Sequence, residues 1–73
     1  STSIDYDIHE AGLVTLRIYD MLGREVEELI NKLILPGKYS TKWNTSDKIS
    51  SGVYLVRITN GEKVFNQKIT LIK

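Results

Sequence analysis

The chain has 73 residues, no cysteine, and a net charge of +1 from 10 basic and 9 acidic side chains. This length is enough for one small domain. Apolar packing must stabilise it, because without cysteine it can have neither disulfides nor thiolate metal sites. The balanced charge argues against a nucleic-acid surface, and no apolar run reaches the roughly 20 residues that span a bilayer.

The first third of the chain alternates between apolar and polar residues. Every second residue from Ile4 to Ile8 is apolar, which predicts a half-buried strand. After a short break, residues 13–19 predict a second strand with the same period of two. Asp20 and Gly23 then bound a tight turn, because Asp can bond its own backbone and Gly can adopt a positive φ.

The next segment, residues 24–34, gives conflicting signals. Its apolar residues recur at helical spacing, and Glu28 precedes Lys32 by four positions, which also favours a helix. Two observations oppose this interpretation. No Ser, Thr or Asp cap directly precedes Arg24, and strand patterns with tight turns lie on both sides. The residues alone leave helix and strand both open.

The middle of the chain returns to a strand pattern. Residues 35–38 have the composition of a type II turn, with proline second and glycine third. Residues 38–44 alternate again, and this places Tyr39 and Trp43 on one face. A polar loop follows over residues 45–51. Extended segments separated by short turns indicate an all-β sandwich.

The end of the chain predicts a β-hairpin. Residues 52–59 and 63–72 are rich in β-branched and aromatic side chains, and Asn60-Gly61 between them favours a two-residue type I′ turn. The expected register pairs Thr59 with Glu62, Val56 with Phe65, and Tyr54 with Gln67. Phe65, Ile69 and Leu71 share one face, and we expect Trp43, Phe65 and Tyr54 to be sealed between the two layers.

Few side chains suggest chemistry. His9 is the only histidine and lacks the partners that a catalytic base requires, so a solvated position is the favoured interpretation. Asp5 and Asp7 project from one face of the first strand, but Ca²⁺ needs about six oxygen ligands and the loop pattern that supplies them is missing. We predict no catalytic, cofactor or metal site.

The aromatic residues allow two interpretations. Five aromatic side chains could form a platform for sugars, as in carbohydrate-binding modules: Trp43, Tyr39, Tyr54, Tyr19 and Tyr6. Tyr39 and Trp43 alternate with charged residues, however, which is the usual pattern of a core-facing strand in a small domain. The core interpretation is favoured, and a passive or carbohydrate-binding accessory sandwich of a secreted enzyme remains the alternative function.

Several spaced motifs together resemble a known family. They are Ile18-Tyr19-Asp20, Gly23-Arg24-Glu25-Val26, Pro36-Gly37-Lys38-Tyr39, Trp43-Asn44, Ser51-Gly52-Val53-Tyr54 and the closing Lys68-Ile69-Thr70-Leu71-Ile72-Lys73. In this order the chain resembles the C-terminal sorting domain (type A) of the type IX secretion system, a relative of the FlgD immunoglobulin-like domain. The likeness extends over nearly all of residues 1–73.

The resemblance implies a fold and a role. The fold is one immunoglobulin-like antiparallel β-sandwich, for which we expect about six or seven short strands. It implies a strand over roughly residues 25–30, with Val26 and Leu29 packing inward. In this family the domain is covalently part of a larger secreted or cell-surface protein of a Gram-negative bacterium, which is exported via the periplasm. The domain is not an enzyme and acts as the sorting signal for this export.

The resemblance also implies partners and contact residues. The partners are the outer-membrane translocon and a sortase that removes the domain; no nucleic acid is involved and no membrane insertion is expected. The final strand and its ends are expected to contribute to recognition by the secretion machinery. The residues predicted for this role are Gly61, Lys68, Ile69, Leu71 and Lys73. Solubilising lysines that discourage sheet-to-sheet pairing are the structural alternative for Lys68 and Lys73.

Overall fold

The computed structural model describes residues 2–44 and 49–72, which form six strands and two antiparallel sheets. The strands are β1 (Thr2–Ile8), β2 (Gly12–Tyr19), β3 (Glu25–Ile34), β4 (Gly37–Trp43), β5 (Gly52–Asn60) and β6 (Lys63–Leu71). One sheet pairs β1 with β4, and the other has the order β3-β2-β5-β6. The described residues contain no helix, and therefore none that could span a membrane.

The two sheets bury one core between them. Alternate residues of β2 and β5 supply its centre, and both strands of the small sheet contribute from the other side. Its buried members are Ile4, Ile8, Val14, Leu16, Ile18, Ile30, Ile34, Trp43, Tyr54, Val56, Ile58 and Leu71. Full burial of one large apolar side chain contributes about 1.5–3 kcal/mol. The predicted all-β sandwich is confirmed, as are the core positions of Trp43 and Tyr54.

Strand β3 resolves the conflict between helix and strand over residues 24–34. The β2–β3 register shifts twice, and each shift leaves one β3 residue, Leu29 and then Val26, without a partner on β2. Both side chains pack against the core. A bulge inserts one residue into a period of two, so apolar residues come to lie three positions apart, as in a helix. The predicted strand is confirmed, and it extends beyond residue 30 to Ile34.

The predicted register of the β5–β6 hairpin is wrong. Asn60 pairs with Lys63, so the two-residue loop is Gly61-Glu62 rather than Asn60-Gly61. A type I′ turn needs positive φ at both central residues, but only Gly61, at φ +65°, has it here. This pattern is that of a type II′ turn, which needs a positive φ only at the first central position.

The shift changes each predicted pair but preserves the faces. Each partner on β6 moves by two residues, an even number, so side chains stay on the expected side of the sheet. The observed pairs are Thr59 with Val64, Ile58 with Phe65, Val56 with Gln67, and Tyr54 with Ile69.

The expectation that Phe65 is sealed in the core is wrong as well. Its side chain faces the inner side of the larger sheet but is 48% exposed. The reason is the unequal width of the layers, because two strands cover four and Phe65 lies on the edge strand β6. It borders a shallow depression beside Asp5 and Asp7 of β1.

The connection between β3 and β4 is a corner between the two sheets, not a hairpin turn. Gly37 has φ +155°, far from the value near +80° that the predicted type II turn requires at its third position. Leu35 and Pro36 carry the chain from one sheet to the other. The Tyr39 hydroxyl donates a hydrogen bond of 2.6 Å to the Leu35 carbonyl oxygen and ties β4 to this corner.

Candidate functional site

The outer face of the larger sheet carries a row of charged and polar side chains. Glu28, Arg17, Arg57 and Asn66 lie side by side on four consecutive strands. The two arginines are therefore directly opposite each other on β2 and β5. Like charges in this position are unfavourable unless neighbouring groups neutralise them.

Arg17 is neutralised by two glutamates of β3. Its Nε lies 2.9 Å from Glu28 Oε2 and 3.5 Å from Glu25 Oε1. The hydrogen bond with Glu28, followed by one with Tyr19, raises the pKa of Arg17 above its ordinary value. These side chains are partly exposed, so solvent screening keeps the contribution of the ion pairs to stability small.

Arg57 has a different environment. Its Nε donates to Asn66 Oδ1 at 3.2 Å, and its guanidinium carbon lies 5.1 Å from the centroid of the Tyr19 ring. Within residues 2–44 and 49–72, no carboxylate oxygen lies within ion-pair distance of Arg57. The ring and the amide hold this cation in place without cancelling its charge.

Lys68 lies beside Arg57 on the same outer face. Lys68 pairs with Leu55, and on the outer face this pair is next to the pair of Arg57 and Asn66. Lys68 has no carboxylate partner in the described part of the chain. Both cations line one shallow depression of about 290 Å³. Its walls are Tyr19, Asp20, Met21, Gly23, Leu55, Arg57 and Lys68.

The β2–β3 turn forms one side of this depression and is built as the sequence predicts. Asp20 Oδ1 accepts hydrogen bonds from the backbone amides of Leu22 and Arg24, both at 2.9 Å. Asp20 Oδ2 accepts from Arg24 Nε, also at 2.9 Å. Gly23 has φ +86° and donates its amide to the Asp20 carbonyl oxygen at 3.1 Å. The Asp20 carboxylate is thus engaged within its own turn.

Replacing Asp20 with asparagine is expected to make the free energy of unfolding depend less on pH in the acid range. The Arg24 backbone amide, with further bonds from the Arg24 side chain and the Leu22 amide, lowers the pKa of Asp20 below its ordinary value. A lowered pKa stabilises the fold fully above the unfolded value of about 3.9, and this stabilisation is lost as pH falls through the folded pKa. Urea unfolding of both proteins across this acid range measures it.

The matched control for the Asp20 prediction is asparagine at Asp5, which lies on the exposed face of β1. The free energy of unfolding of the Asp20 variant should be lower than that of the wild type near neutral pH, and the two should converge in acid. Parallel curves for the Asp20 variant and the wild type would contradict the prediction.

The structure separates the residues predicted for recognition. Gly61 lies in the turn before β6, and Lys68 projects from the outer face of β6. Ile69 and Leu71 lie on the inner face, where Leu71 is 5% exposed and Ile69 packs against the core. Lys73 lies outside the described residues. Only Lys68 of the described four offers a free, charged side chain, and the recognition role of all five stays a prediction.

Sequence reasoning missed Arg57, and it considered Tyr19 only as a member of the aromatic platform and of a family motif. Alternation placed Tyr19 on the polar face of β2, and Arg57 occupies the corresponding face of β5. That β2 and β5 are neighbours, and in which register, was not predictable from the alternation. The pairing of two arginines on adjacent strands was therefore not visible in the sequence.

The turn residue Gly61 gives a prediction about its backbone. At φ +65° an alanine is expected to lower the free energy of unfolding by about 1 kcal/mol, whereas asparagine, which tolerates this conformation, should cost less. A Cβ at this position would meet no atom within 4 Å, so the effect is conformational rather than steric. Urea unfolding of both variants tests it, and equal losses for alanine and asparagine would contradict it.

The alternative aromatic platform is not formed by Trp43. Its side chain is 0% exposed and makes an edge contact with Tyr54 at 5.3 Å between ring centroids. Tyr39 stacks on Tyr6 at 5.7 Å, and its hydroxyl is engaged at the β3–β4 corner. A Trp43 ring enclosed between the sheets offers no face to a sugar.

The residues considered for metal binding or catalysis lie on the surface. His9, Asp5 and Asp7 are all exposed. In residues 2–44 and 49–72, no three His, Asp or Glu side chains lie close enough together to hold a metal ion. The feature with distinct geometry is therefore the depression around Arg57 and Lys68.

The chain matches the family model of the secretion system C-terminal sorting domain over residues 2–73. Curated proteins and solved structures give no significant match. The matched range includes all six strands and both turns described above. The chain belongs to the family of C-terminal sorting domains of the type IX secretion system, whose proteins are exported across the outer membrane to the cell surface or the medium.

Proposed function

We propose that this domain directs export of a larger protein by presenting its folded surface to the outer-membrane translocon, after which a sortase removes it. The observation that supports the proposal most directly is the family match over residues 2–73. The domain itself acts without catalysis, and the activity of the exported protein belongs to another part of that protein.

The structure favours strand β6 as the part of the surface that is recognised. Residues 61–68 are all exposed, while the buried core lies mainly under β2 and β5. Within the described residues β6 pairs with β5 alone, so the backbone groups of its other edge are available to a partner. A partner can therefore bind β6 through backbone pairing together with contacts to Lys68.

Transplantation tests the export role. Residues 1–73 are fused to the C-terminus of a periplasmic reporter in a host that has this secretion system. We expect the reporter at the cell surface or in the medium, and in the periplasm when the translocon gene is deleted. The positive control is the same reporter carrying a sorting domain of that host.

Two outcomes contradict the proposal. One is a reporter that stays in the periplasm although the positive control is exported. The other is export that continues without the translocon. A reporter with an unfolded version of the domain distinguishes recognition of the folded surface from recognition of a linear sequence.

A further inference from the structure

The depression around Arg57 and Lys68 holds two cations without an acidic partner in the described part of the chain. The two residues occupy diagonal positions on neighbouring strands, which places their Cβ atoms roughly 7 Å apart. A single carboxylate group between them can contact both side chains. Of the charges on this face, Arg17 is already neutralised by two glutamates.

The position of Arg57 is fixed before any ligand arrives. The Tyr19 ring supports one face of the guanidinium and Asn66 accepts from Nε, which leaves the terminal nitrogens free to donate. A planar guanidinium held in this way matches the two oxygens of a carboxylate, and little side-chain entropy is lost on binding.

The other residues that line the depression indicate which kind of group lies next to the carboxylate of the ligand. Leu55 of β5 and Met21 of the β2–β3 turn, which is 61% exposed, contribute apolar side chains to its lining. Asp20 also lines the depression, but both of its oxygens accept bonds from its own turn. The surface therefore suits an acidic side chain next to an aliphatic one.

The edge of β6 adds a requirement on backbone shape. The β5–β6 register is regular from Gly52–Leu71 to Asn60–Lys63, with no bulge, whereas the opposite edge strand β3 is interrupted twice. Bulges protect a sheet edge against added strands, and a regular edge accepts them. An extended peptide lying along β6 would place alternate side chains on the outer face, beside Lys68.

We infer that the outer face at Arg57 and Lys68, together with the free edge of β6, binds an extended acidic peptide segment of a partner protein. The peptide backbone pairs with β6, and a carboxylate on its outer face lies between the two cations. The inference rests on the proposed function in taking a protein of the secretion machinery as the partner, but the binding itself can be measured without export.

The probe is a short, capped peptide of alternating glutamate and valine, titrated into isotopically labelled residues 1–73 and followed by NMR. We expect shift changes at the amides of Asn66, Lys68 and their β6 neighbours and at Arg57 Nε–H. Replacing Lys68 with glutamate should weaken binding about tenfold, because an attraction becomes a repulsion. Binding should also weaken as salt is added.

Matched variants separate the site from general charge. Lys42→Glu makes the same charge change on the exposed face of β4 in the other sheet and should leave binding within about twofold of the wild type. Arg57→Lys keeps the charge but loses the fork, so it should bind more weakly than the wild type and more tightly than Arg57→Gln. All these positions are exposed, and the dispersion of amide signals shows that each variant is folded.

The inference is overturned if a peptide with glutamine in place of glutamate binds equally well, or if Lys68→Glu and Lys42→Glu weaken binding equally. It is also overturned if dextran sulfate shifts these signals and the peptide does not, since the surface would then select a polyanionic glycan. If the wild-type domain binds the peptide and a Lys68→Glu fusion is still exported normally, the site is supported and the export signal lies on another surface. Export of the wild-type fusion without peptide binding rejects the site and leaves the export role intact.

Discussion

Replacing Trp43 with alanine is expected to unfold most of the domain at neutral pH. Trp43 is 0% exposed and is the largest fully buried side chain, at the end of β4 between the two sheets. Truncation of a buried tryptophan to alanine costs about 3–5 kcal/mol through lost transfer energy and the cavity left behind. A domain of this length has a stability of only several kcal/mol, so the loss is comparable to the whole.

Phenylalanine at Trp43 is the matched control. Trp43 Nε1 is buried and has no hydrogen-bond partner in the described part of the chain, so phenylalanine removes an unsatisfied donor along with some volume. We expect it to cost about 1–2 kcal/mol, much less than alanine. Urea unfolding followed by circular dichroism measures both variants. A loss below about 1 kcal/mol for alanine would show that Trp43 is not the centre of the core.

Replacing Val56 with aspartate is expected to prevent folding. Val56 is 0% exposed on the central strand β5, with the side chains of β2 beside it on the same face. A carboxylate there has no cation to pair with among the core residues, all of which are apolar or aromatic. Burying such a group costs more than about 4 kcal/mol, or forces the carboxyl to take up a proton.

Val53 is the matched control, because it lies on the same strand but on the opposite face and is 42% exposed. Aspartate at Val53 should lower the free energy of unfolding by no more than about 1 kcal/mol, through its poor strand propensity alone. Amide dispersion in NMR spectra distinguishes a folded from an unfolded variant. Similar spectra for the two aspartate variants would contradict the assignment of inner and outer faces.

Local patterns were sufficient for most of the strands. Alternation identified β1, β2 and β4 because one face of each is buried, and a half-buried strand needs only its own residues to show a period of two. The β-branched and aromatic composition identified β5. The Asp20–Gly23 turn was predictable for the same reason, since its hydrogen bonds and its positive φ involve five consecutive residues, 20–24. The family resemblance came from the order of such local motifs.

Strand β3 shows where local reasoning fails. Its two bulges break the alternation, and they exist only in the pairing with β2, which leaves Val26 and Leu29 without partners. The isolated segment has helical spacing, and the preference for a strand came from its neighbours and from the family. Pairing with another strand, not intrinsic propensity, decided the conformation.

The sequence by itself determined five extended segments, the tight turn at Asp20–Gly23 and, through the order of its motifs, membership in a sorting-domain family. Only the tertiary structure decided that the hairpin loop is Gly61-Glu62 and that Phe65 is half exposed. It also decided that Arg57 lies beside Lys68, with no carboxylate of the described residues within ion-pair distance of either. The physical reason is the separation along the chain of the residues that interact. Alternation and turns depend on consecutive residues, whereas register, coverage of one sheet by the other and cross-strand charge pairs depend on which distant segments become neighbours.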